Sequence, residues 1–136
     1  MKVLVDTCVW SAVLRRRSPD PELSVMMKDL IESDRVAMIG SIRQELLSGI
    51  SDSEQFKKLQ SALSAFEDTI LRTEHFEKAA EFSNICRKAG VQGSSIDFLI
   101  CAVAANEAWP IFTTDRDFDI YRRHLPIRIV WRKTRP

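Results

Sequence analysis

The sequence lacks any apolar run that approaches the roughly 18 uninterrupted residues of a membrane-spanning helix. After Met1 and Lys2, the apolar stretch at positions 3–5 ends at Asp6, which makes it too short for a signal peptide. These two absences favour a cytoplasmic protein that has no membrane segment.

Cysteine and histidine are also scarce. The three cysteines, Cys8, Cys86 and Cys101, show no C-x-x-C spacing, and each has an apolar neighbour on at least one side. This pattern favours buried free thiols over a disulfide or a zinc site. The two histidines, His75 and His124, are expected to be ordinary surface residues, so a histidine-based catalytic site is not indicated.

Common nucleotide-binding and nucleophile motifs are missing. The chain contains no G-x-x-x-x-G-K-[ST] phosphate loop, no G-x-G-x-x-G and no G-x-S-x-G nucleophile elbow. Charge of one sign is not in excess either, because 20 Lys and Arg stand against 19 Asp and Glu. The 136 residues are 45% hydrophobic, which predicts one folded domain over residues 1–136.

Short apolar segments alternate with longer amphipathic ones along the chain. The alternation of strands and helices favours a parallel α/β sheet that is covered on both faces. A capping-box pattern at Ser41 is expected to start one helix, which Gly49 would end. Strands are expected at 2–6, 35–40, 69–71, 110–113 and 127–131, and helices at 8–15, 23–33, 41–49, 53–66, 74–89, 94–105 and 115–123.

Four acidic residues fall at, or within a turn or two of, the carboxyl ends of these strands. In an open α/β sheet the ligand crevice lies beyond those ends. Asp6 ends the first strand, Glu45 lies in the helix after the second, Asp97 lies in the first turn of the most apolar helix, and Asp115 follows the strand at 110–113.

Each of these acids also has a local interpretation. Asp6 could cap the next helix, and Asp97 could form a capping box with Ser94. Asp115 could favour a helix start through the helix dipole. Glu45 could be a solvated surface acid, although a helical wheel places it at the edge of the buried face.

Taken together, the four acids favour a metal site. Carboxylates that converge on one sheet edge repel one another and raise one another's pKa. A hard divalent cation removes that repulsion and prefers oxygen ligands. Such a site polarises a phosphoryl oxygen and acidifies water for phosphodiester hydrolysis, so the pattern predicts a metal-dependent nuclease.

Four segments, at 3–10, 42–49, 95–104 and 111–118, also carry a family pattern in order and spacing. Through them the chain resembles the PIN-domain ribonucleases, and among these the VapC-type toxins of toxin–antitoxin pairs, over essentially its whole length. The resemblance implies a PIN-like three-layer α/β/α fold with a central parallel sheet of four to five strands. It also implies Mg²⁺ or Mn²⁺, hydrolysis of RNA, a cognate VapB-type antitoxin and a homodimer.

The resemblance assigns roles to individual residues. Asp6, Asp97 and Asp115 are expected to bind the metal and act in catalysis, while catalytic Glu45 would orient the attacking water or a second ion. Asp117 could be a ligand, although a capping box with Thr114 is slightly favoured. Cys8 departs from the Asn, Ser or other small residue of many relatives. Hydroxyl support is expected from Thr7 and Thr113.

Substrate and partner surfaces are expected where positive charge and apolar stripes occur. Arg116, next to Asp115, is expected to contact a phosphate of an RNA substrate, which could be tRNA, rRNA or mRNA. Further basic runs at 15–17 and 132–135 could bind RNA or form a solvated face. Apolar stripes on the helices at 23–33 and 53–66 could form a groove for an antitoxin helix or pack in the core.

The sequence excludes one competing function and leaves two open. A phosphatase resembling the haloacid dehalogenases needs a second acid two residues after the first aspartate, and Cys8 stands at that position. A housekeeping PIN-domain nuclease in RNA processing and a non-catalytic RNA-binding or protein-binding module stay open as alternatives.

Overall fold

The computed structural model describes residues 1–14, 18 and 20–131. Its sheet has three parallel strands in the order β2-β1-β3, namely β1 (Val3–Val5), β2 (Val36–Ala37) and β3 (Ile111–Phe112). Val3 pairs with Val36, and Leu4 pairs with both Ala37 and Ile111. Strand β1 is therefore central, which explains why all three of its residues are buried.

Single parallel bridges extend the sheet at both edges. Met38 bridges to Asp68, and Ile111 bridges to Ile129. No strand forms at 69–71, where only the preceding Asp68 bridges to the sheet, and the strand expected at 127–131 is reduced to the bridge at Ile129. Beyond the first of these bridges Ile70 is 77% exposed.

Helices cover the sheet, and most begin near the positions that the sequence predicts. Helix α2 begins at Pro21, where Asp20 accepts a hydrogen bond from the backbone N–H of Glu22 at 2.9 Å. The helices are α1 (Thr7–Leu14), α2 (Pro21–Glu32), α3 (Gly40–Leu47), α4 (Ser53–Leu63), α5 (Thr73–Lys88), α6 (Ser95–Glu107) and α7 (Asp117–Tyr121). The parallel sheet and its helices confirm the predicted fold class.

Helix α6 is largely buried and carries Asp97 in its first turn. Its residues from Phe98 to Ala104 are all buried, which agrees with the nearly continuous apolar run in the sequence. It packs against α5 on one side and against β3 on the other. This burial fixes the direction of α6, so the side chain of Asp97 in its first turn has a defined position.

The capping box expected at Ser41 is not formed. Helix α3 begins one residue earlier, after Ile39, and no side chain caps it. Ser41 Oγ is buried and, among the described residues, finds no hydrogen-bond partner. Gly49 does follow the helix with a φ of +84°, a left-handed conformation that glycine adopts without strain.

His75 is buried, so the expectation of a surface histidine is wrong there. Its Nδ1 accepts a hydrogen bond from the Arg72 backbone at 3.0 Å, and its Nε2 lies 3.2 Å from Glu107 Oε2. His124 is exposed as expected. All three cysteines are free: Cys86 and Cys101 are buried, and Cys8 is half-buried.

Within the described part of the chain, no helix is both long and apolar enough to cross a membrane.

Candidate metal centre

Three aspartates from separate parts of the chain lie close together. Asp97, Asp115 and Asp117 each place one carboxylate oxygen within 4.8 Å of the others. Asp97 comes from the first turn of α6, Asp115 from the loop after β3, and Asp117 from the start of α7. The strand-end pattern therefore predicted two members of this group, and the structure adds Asp117 to them.

The Asp97 carboxylate is not used to cap its own helix. Ser94 Oγ accepts a 3.0 Å hydrogen bond from the Asp97 backbone N–H, which is one half of the expected capping box. Oδ2 of Asp97 instead accepts a 2.6 Å hydrogen bond from the hydroxyl of Tyr121. Burial raises the pKa of Asp97, and the nearby charges of Asp115 and Asp117 raise it further.

Asp115 orients the loop that carries it. Its backbone N–H donates to Thr113 Oγ1 at 3.0 Å, and its Oδ1 accepts from the backbone N–H of Asp117 at 2.9 Å. The capping box expected between Thr114 and Asp117 is absent, because the Asp117 backbone N–H donates to Asp115 Oδ1, while the Thr114 hydroxyl donates to Cys8 Sγ at 3.3 Å. Arg116 is the residue directly before α7, and its side chain makes no capping hydrogen bond to the helix.

Asp6 lies deeper than the other acids, with 6% of its surface exposed, and outside the group of three. Its Oδ1 accepts from the Thr7 backbone N–H at 2.8 Å, and its Oδ2 accepts from the Thr113 hydroxyl at 2.7 Å. Burial raises the pKa of Asp6, and the charge of Asp97 adds to that shift. Asp6 therefore interacts electrostatically with the group of three.

Cys8 has a polar environment that the sequence did not reveal. Its thiol contacts three residues of the site: Sγ lies 3.5 Å from Asp6 Oδ2, 3.4 Å from Thr113 Oγ1 and 3.3 Å from Thr114 Oγ1. Burial and then the charge of Asp6 raise the pKa of the thiol. In this chain a neutral thiol thus occupies the polar position next to Asp6.

Glu45 is an exposed residue of helix α3. Helix α3 buries Ile42 and Leu46, and Glu45 lies on the side between that face and the solvent. Its Oε1 accepts a hydrogen bond from the hydroxyl of Thr7. That contact joins α3 to the start of α1, directly after Asp6.

The predicted basic groups are only partly described. Arg116 is exposed and directly follows Asp115 in the sequence. The basic positions 15–17 and 132–135 lie outside the described residues.

The acidic group has no protein cation to balance it in the described part of the chain. The ion pairs there are Arg43 with Asp68 and Arg122 with Asp119, so neither involves the acids of the site. Uncompensated carboxylates at this spacing repel one another, and a hard divalent cation with oxygen ligands relieves that repulsion. The donor set of carboxylate oxygens thus fits Mg²⁺ or Mn²⁺.

Tyr121 is a further residue of the site that sequence reasoning missed. It lies four residues after Asp117, which is the spacing that places two side chains on one side of a helix. This spacing could have associated the tyrosine with the acids if the helix had been predicted to begin at Asp117.

Comparisons with known proteins point to one family. The sequence model of the PIN domain matches residues 3–123. The chain is 30% identical over 127 residues to VapC ribonuclease Mb1587 of Mycobacterium bovis, covering 89% of this chain and 92% of that protein. The same values relate it to ribonuclease VapC11 of Mycobacterium tuberculosis.

Solved structures show the same fold. The structure of FitAcB from Neisseria gonorrhoeae aligns with a TM-score of 0.76 and 20% identity over 93% of this chain and 95% of that one. The structure of VapBC2 from Rickettsia felis, bound to a DNA fragment from its promoter, aligns with a TM-score of 0.76 and 19% identity. That alignment covers 97% of this chain and 100% of the other chain.

Proposed function

We propose, because the chain belongs to the PIN-domain family and to its VapC ribonuclease group, that it is a metal-dependent endoribonuclease that acts as the toxin of a toxin–antitoxin pair. The observation that carries the metal dependence is the group of Asp97, Asp115 and Asp117, whose carboxylate oxygens lie within 4.8 Å of one another. Three hard oxygen donors that form no ion pair with any described residue make a site for Mg²⁺ or Mn²⁺.

The acids would take different roles in metal binding according to how deeply each is buried. Asp97 and Asp115 would contact the ion most directly, because their oxygens lie together and neither is fully buried. Asp117 would complete the group from α7. Asp6 would contribute its negative charge to the site from its more buried position, since its carboxylate is held by Thr113 and interacts with the charge of Asp97.

When bound, the ion would supply a Lewis acid that polarises a phosphoryl oxygen and lowers the pKa of water. The protein supplies orientation and proton acceptance around it. Glu45 is exposed and keeps one carboxylate oxygen free of the Thr7 hydroxyl, so it can orient the attacking water and accept its proton. In-line attack would leave a 5′-phosphate and a 3′-hydroxyl.

RNA would approach from the solvent side of the acids. Arg116 is exposed beside Asp115 and can bind a backbone phosphate, which brings the scissile bond to the acids. Phosphate contacts of this kind set affinity and its salt dependence without reading the sequence. The target would be a tRNA, rRNA or mRNA.

The partner that this function requires is a VapB-type antitoxin. An open groove of about 550 Å³ is lined by Leu14 of α1, Ile50, and the α4 residues Gln55, Lys58, Leu59 and Ala62. It lies beside α4, as the apolar stripe predicts, but α1 rather than α2 forms its other wall in the described part of the chain. An amphipathic antitoxin segment would occupy it. Leu59→Glu should then cleave RNA at antitoxin concentrations that inhibit the wild type.

The metal dependence is tested with a pair of variants on one helix. Asp117→Asn removes a charge from the group of three, whereas Asp119→Asn removes one that pairs with Arg122 at 3.8 Å outside it. Cleavage of RNA should require Mg²⁺ or Mn²⁺, stop with EDTA, and fall strongly for Asp117→Asn, Asp97→Asn and Asp6→Asn but not for Asp119→Asn. Unreduced, EDTA-resistant cleavage by Asp97→Asn would contradict the proposal.

A homodimer is proposed with the same function. Light scattering coupled to gel filtration of the purified chain measures its mass directly, and a monomer at micromolar concentration would count against it.

A further inference from the structure

The hydroxyl of Tyr121 is bound to the acidic group from inside the protein. The tyrosine is buried, with 1% of its surface exposed, and its O–H donates to Asp97 Oδ2 at 2.6 Å. A distance of this length is typical of a hydrogen bond to an ionised carboxylate, which is stronger than one between neutral groups. Asp97 thus has an anchor that does not come from its own helix.

The ring of Tyr121 is held in one place by its neighbours. Its centroid lies 5.2 Å from that of Phe98 and 5.2 Å from that of Phe118, with the Phe118 ring edge-on. A Cβ atom built on Gly93 would lie 2.5 Å from the tyrosine Oη and 2.8 Å from Phe98 Cζ. Residue 93 must therefore lack a side chain for the ring to reach Asp97.

Helix α7 connects this anchor to the acids. Asp117 and Tyr121 stand at its first and last residues, four positions apart and on one side of the helix. One short element thus contributes an acid to the group of three and also the hydroxyl that binds another of its acids.

A neutral anchor suits a cation site. Three close carboxylates repel one another, and an unrestrained Asp97 side chain could rotate away from Asp115 and Asp117. An arginine or lysine in the place of Tyr121 would hold Asp97 but also cancel charge that a cation needs. The tyrosine occupies one of about four lone-pair positions of the carboxylate and leaves the others for a metal.

We propose that Tyr121 is a positioning residue, whose hydroxyl holds the Asp97 carboxylate where it can share a divalent cation with Asp115 and Asp117. Gly93 makes room for this contact. The inference rests on the proposed metal-dependent function, and it assigns the affinity of the metal site in part to a residue that does not touch the metal.

Calorimetric titration of the full chain with Mn²⁺ tests the proposal. Tyr121→Phe keeps the ring and removes only the hydroxyl, and it should bind Mn²⁺ about 10- to 100-fold more weakly than the wild type. The titration is run well below the melting temperature of both proteins, so a loss of stability alone would not change the affinity. An affinity within twofold of the wild type overturns the proposal.

A spectroscopic signature separates positioning from packing. Tyr121 is the chain's single tyrosine, so protein labelled with 3-fluorotyrosine gives one ¹⁹F resonance. Saturating Mg²⁺ should shift that resonance in the wild type and leave it unchanged in Asp97→Asn. A resonance that ignores saturating Mg²⁺ in the wild type contradicts the proposal.

Gly93→Ala tests the same contact without altering the tyrosine. It should weaken Mn²⁺ binding in the wild type and cause a smaller further loss in Tyr121→Phe, because the hydroxyl is already gone there and only the two ring carbons still crowd the added methyl group. Gly40→Ala is the matched control, since its Cβ would meet Asp68 Oδ2 at an ordinary 3.7 Å, and its affinity should equal that of the wild type. Additive losses in the double variant contradict the proposal.

The outcomes distinguish this inference from the proposed function. If the wild type binds no Mn²⁺, both fail. If the wild type binds it, Asp97→Asn does not and Tyr121→Phe binds as the wild type does, the metal site stands and only the role of Tyr121 fails.

Discussion

Thr113 donates a 2.7 Å hydrogen bond to Oδ2 of Asp6 across 107 positions of the chain. The same hydroxyl oxygen accepts the backbone N–H of Asp115 at 3.0 Å. One buried side chain at the end of β3 therefore joins the acid at the end of β1 to the loop that carries the next acid. Because parallel neighbouring strands end at the same edge, this short link is possible at all.

Thr113→Val should lower both activity and stability, because it removes the hydroxyl but keeps the shape of the side chain. Valine fills nearly the same volume but leaves the Asp115 N–H without its acceptor and Asp6 Oδ2 with only the weak contact of the Cys8 thiol. Cleavage of RNA should fall about 10- to 100-fold, and the free energy of unfolding should fall by about 1–3 kcal/mol. Kinetic assays and urea denaturation measure the two effects. Thr113→Ser keeps the hydroxyl and should retain most of the activity, so equal losses in both variants would contradict this explanation.

Asp97→Asn should stabilise the metal-free protein. Burial and the charges of Asp115 and Asp117 raise the pKa of Asp97, so its ionised form is less favourable in the folded chain than in the unfolded one. The neutral amide avoids that cost. We expect a higher melting temperature without metal, by roughly 3 °C for each 1 kcal/mol of relief, together with loss of cleavage.

The pH dependence of that gain has a defined sign. Well below the ordinary pKa of an aspartate the Asp97 carboxyl is protonated in both states, so the wild type and Asp97→Asn should be similarly stable. The difference in unfolding free energy should grow as pH rises from there to the raised folded pKa and then stay constant. Urea denaturation of both proteins between pH 4 and 8, with EDTA present, measures it. A gap that narrows toward neutral pH would contradict the assignment.

The thiol of Cys8 should react slowly while Asp6 is ionised beside it. Burial and the Asp6 charge raise its pKa, so little of the reactive thiolate is present at neutral pH. Alkylation by iodoacetamide, followed by mass spectrometry of the Cys8 peptide, should therefore be faster in Asp6→Asn than in the wild type. The buried Cys86 provides an internal control whose rate should not change. Equal Cys8 rates in the two proteins would remove Asp6 as a cause.

Local patterns in the sequence carry most of the fold. The apolar run before Asp6 predicted the central strand, and the run around Ile100 predicted the most buried helix, because each pattern reports burial directly. The edges of the sheet were less predictable. Whether Asp68 or Thr69 bridges to Met38 depends on how the chain returns to the sheet, which neighbouring residues do not encode.

The acidic site was predictable to the extent that it follows from strand ends. That rule found Asp97 and Asp115, but it could not choose between a cap and a ligand for Asp117. The choice depends on the loop conformation, in which the Asp117 N–H donates to Asp115 Oδ1 and the Thr114 hydroxyl donates to Cys8, a residue distant in the sequence. The buried state of His75 was hidden for the same reason, because its partner lies on another helix.

His75 should matter for stability and not for cleavage. Its ring joins the start of α5 to Glu107 at the end of α6, whereas Asp97 lies at the other end of that 13-residue helix. The two ends are about 15 Å apart at 1.5 Å per residue. His75→Leu fills the space but leaves the Arg72 N–H without its acceptor, while Glu107 keeps only its contact with Asn106, so the free energy of unfolding should fall by about 1–3 kcal/mol.

Urea denaturation measures that loss, and cleavage assays at low temperature should give the same rate per folded molecule as the wild type. Glu107→Gln keeps an acceptor for the histidine and should cost less stability than His75→Leu. If His75→Leu unfolds at the same urea concentration as the wild type, the buried histidine contributes no net stability. If it folds but no longer cleaves RNA, the two ends of α6 are coupled and the acidic site extends further than its contacts indicate.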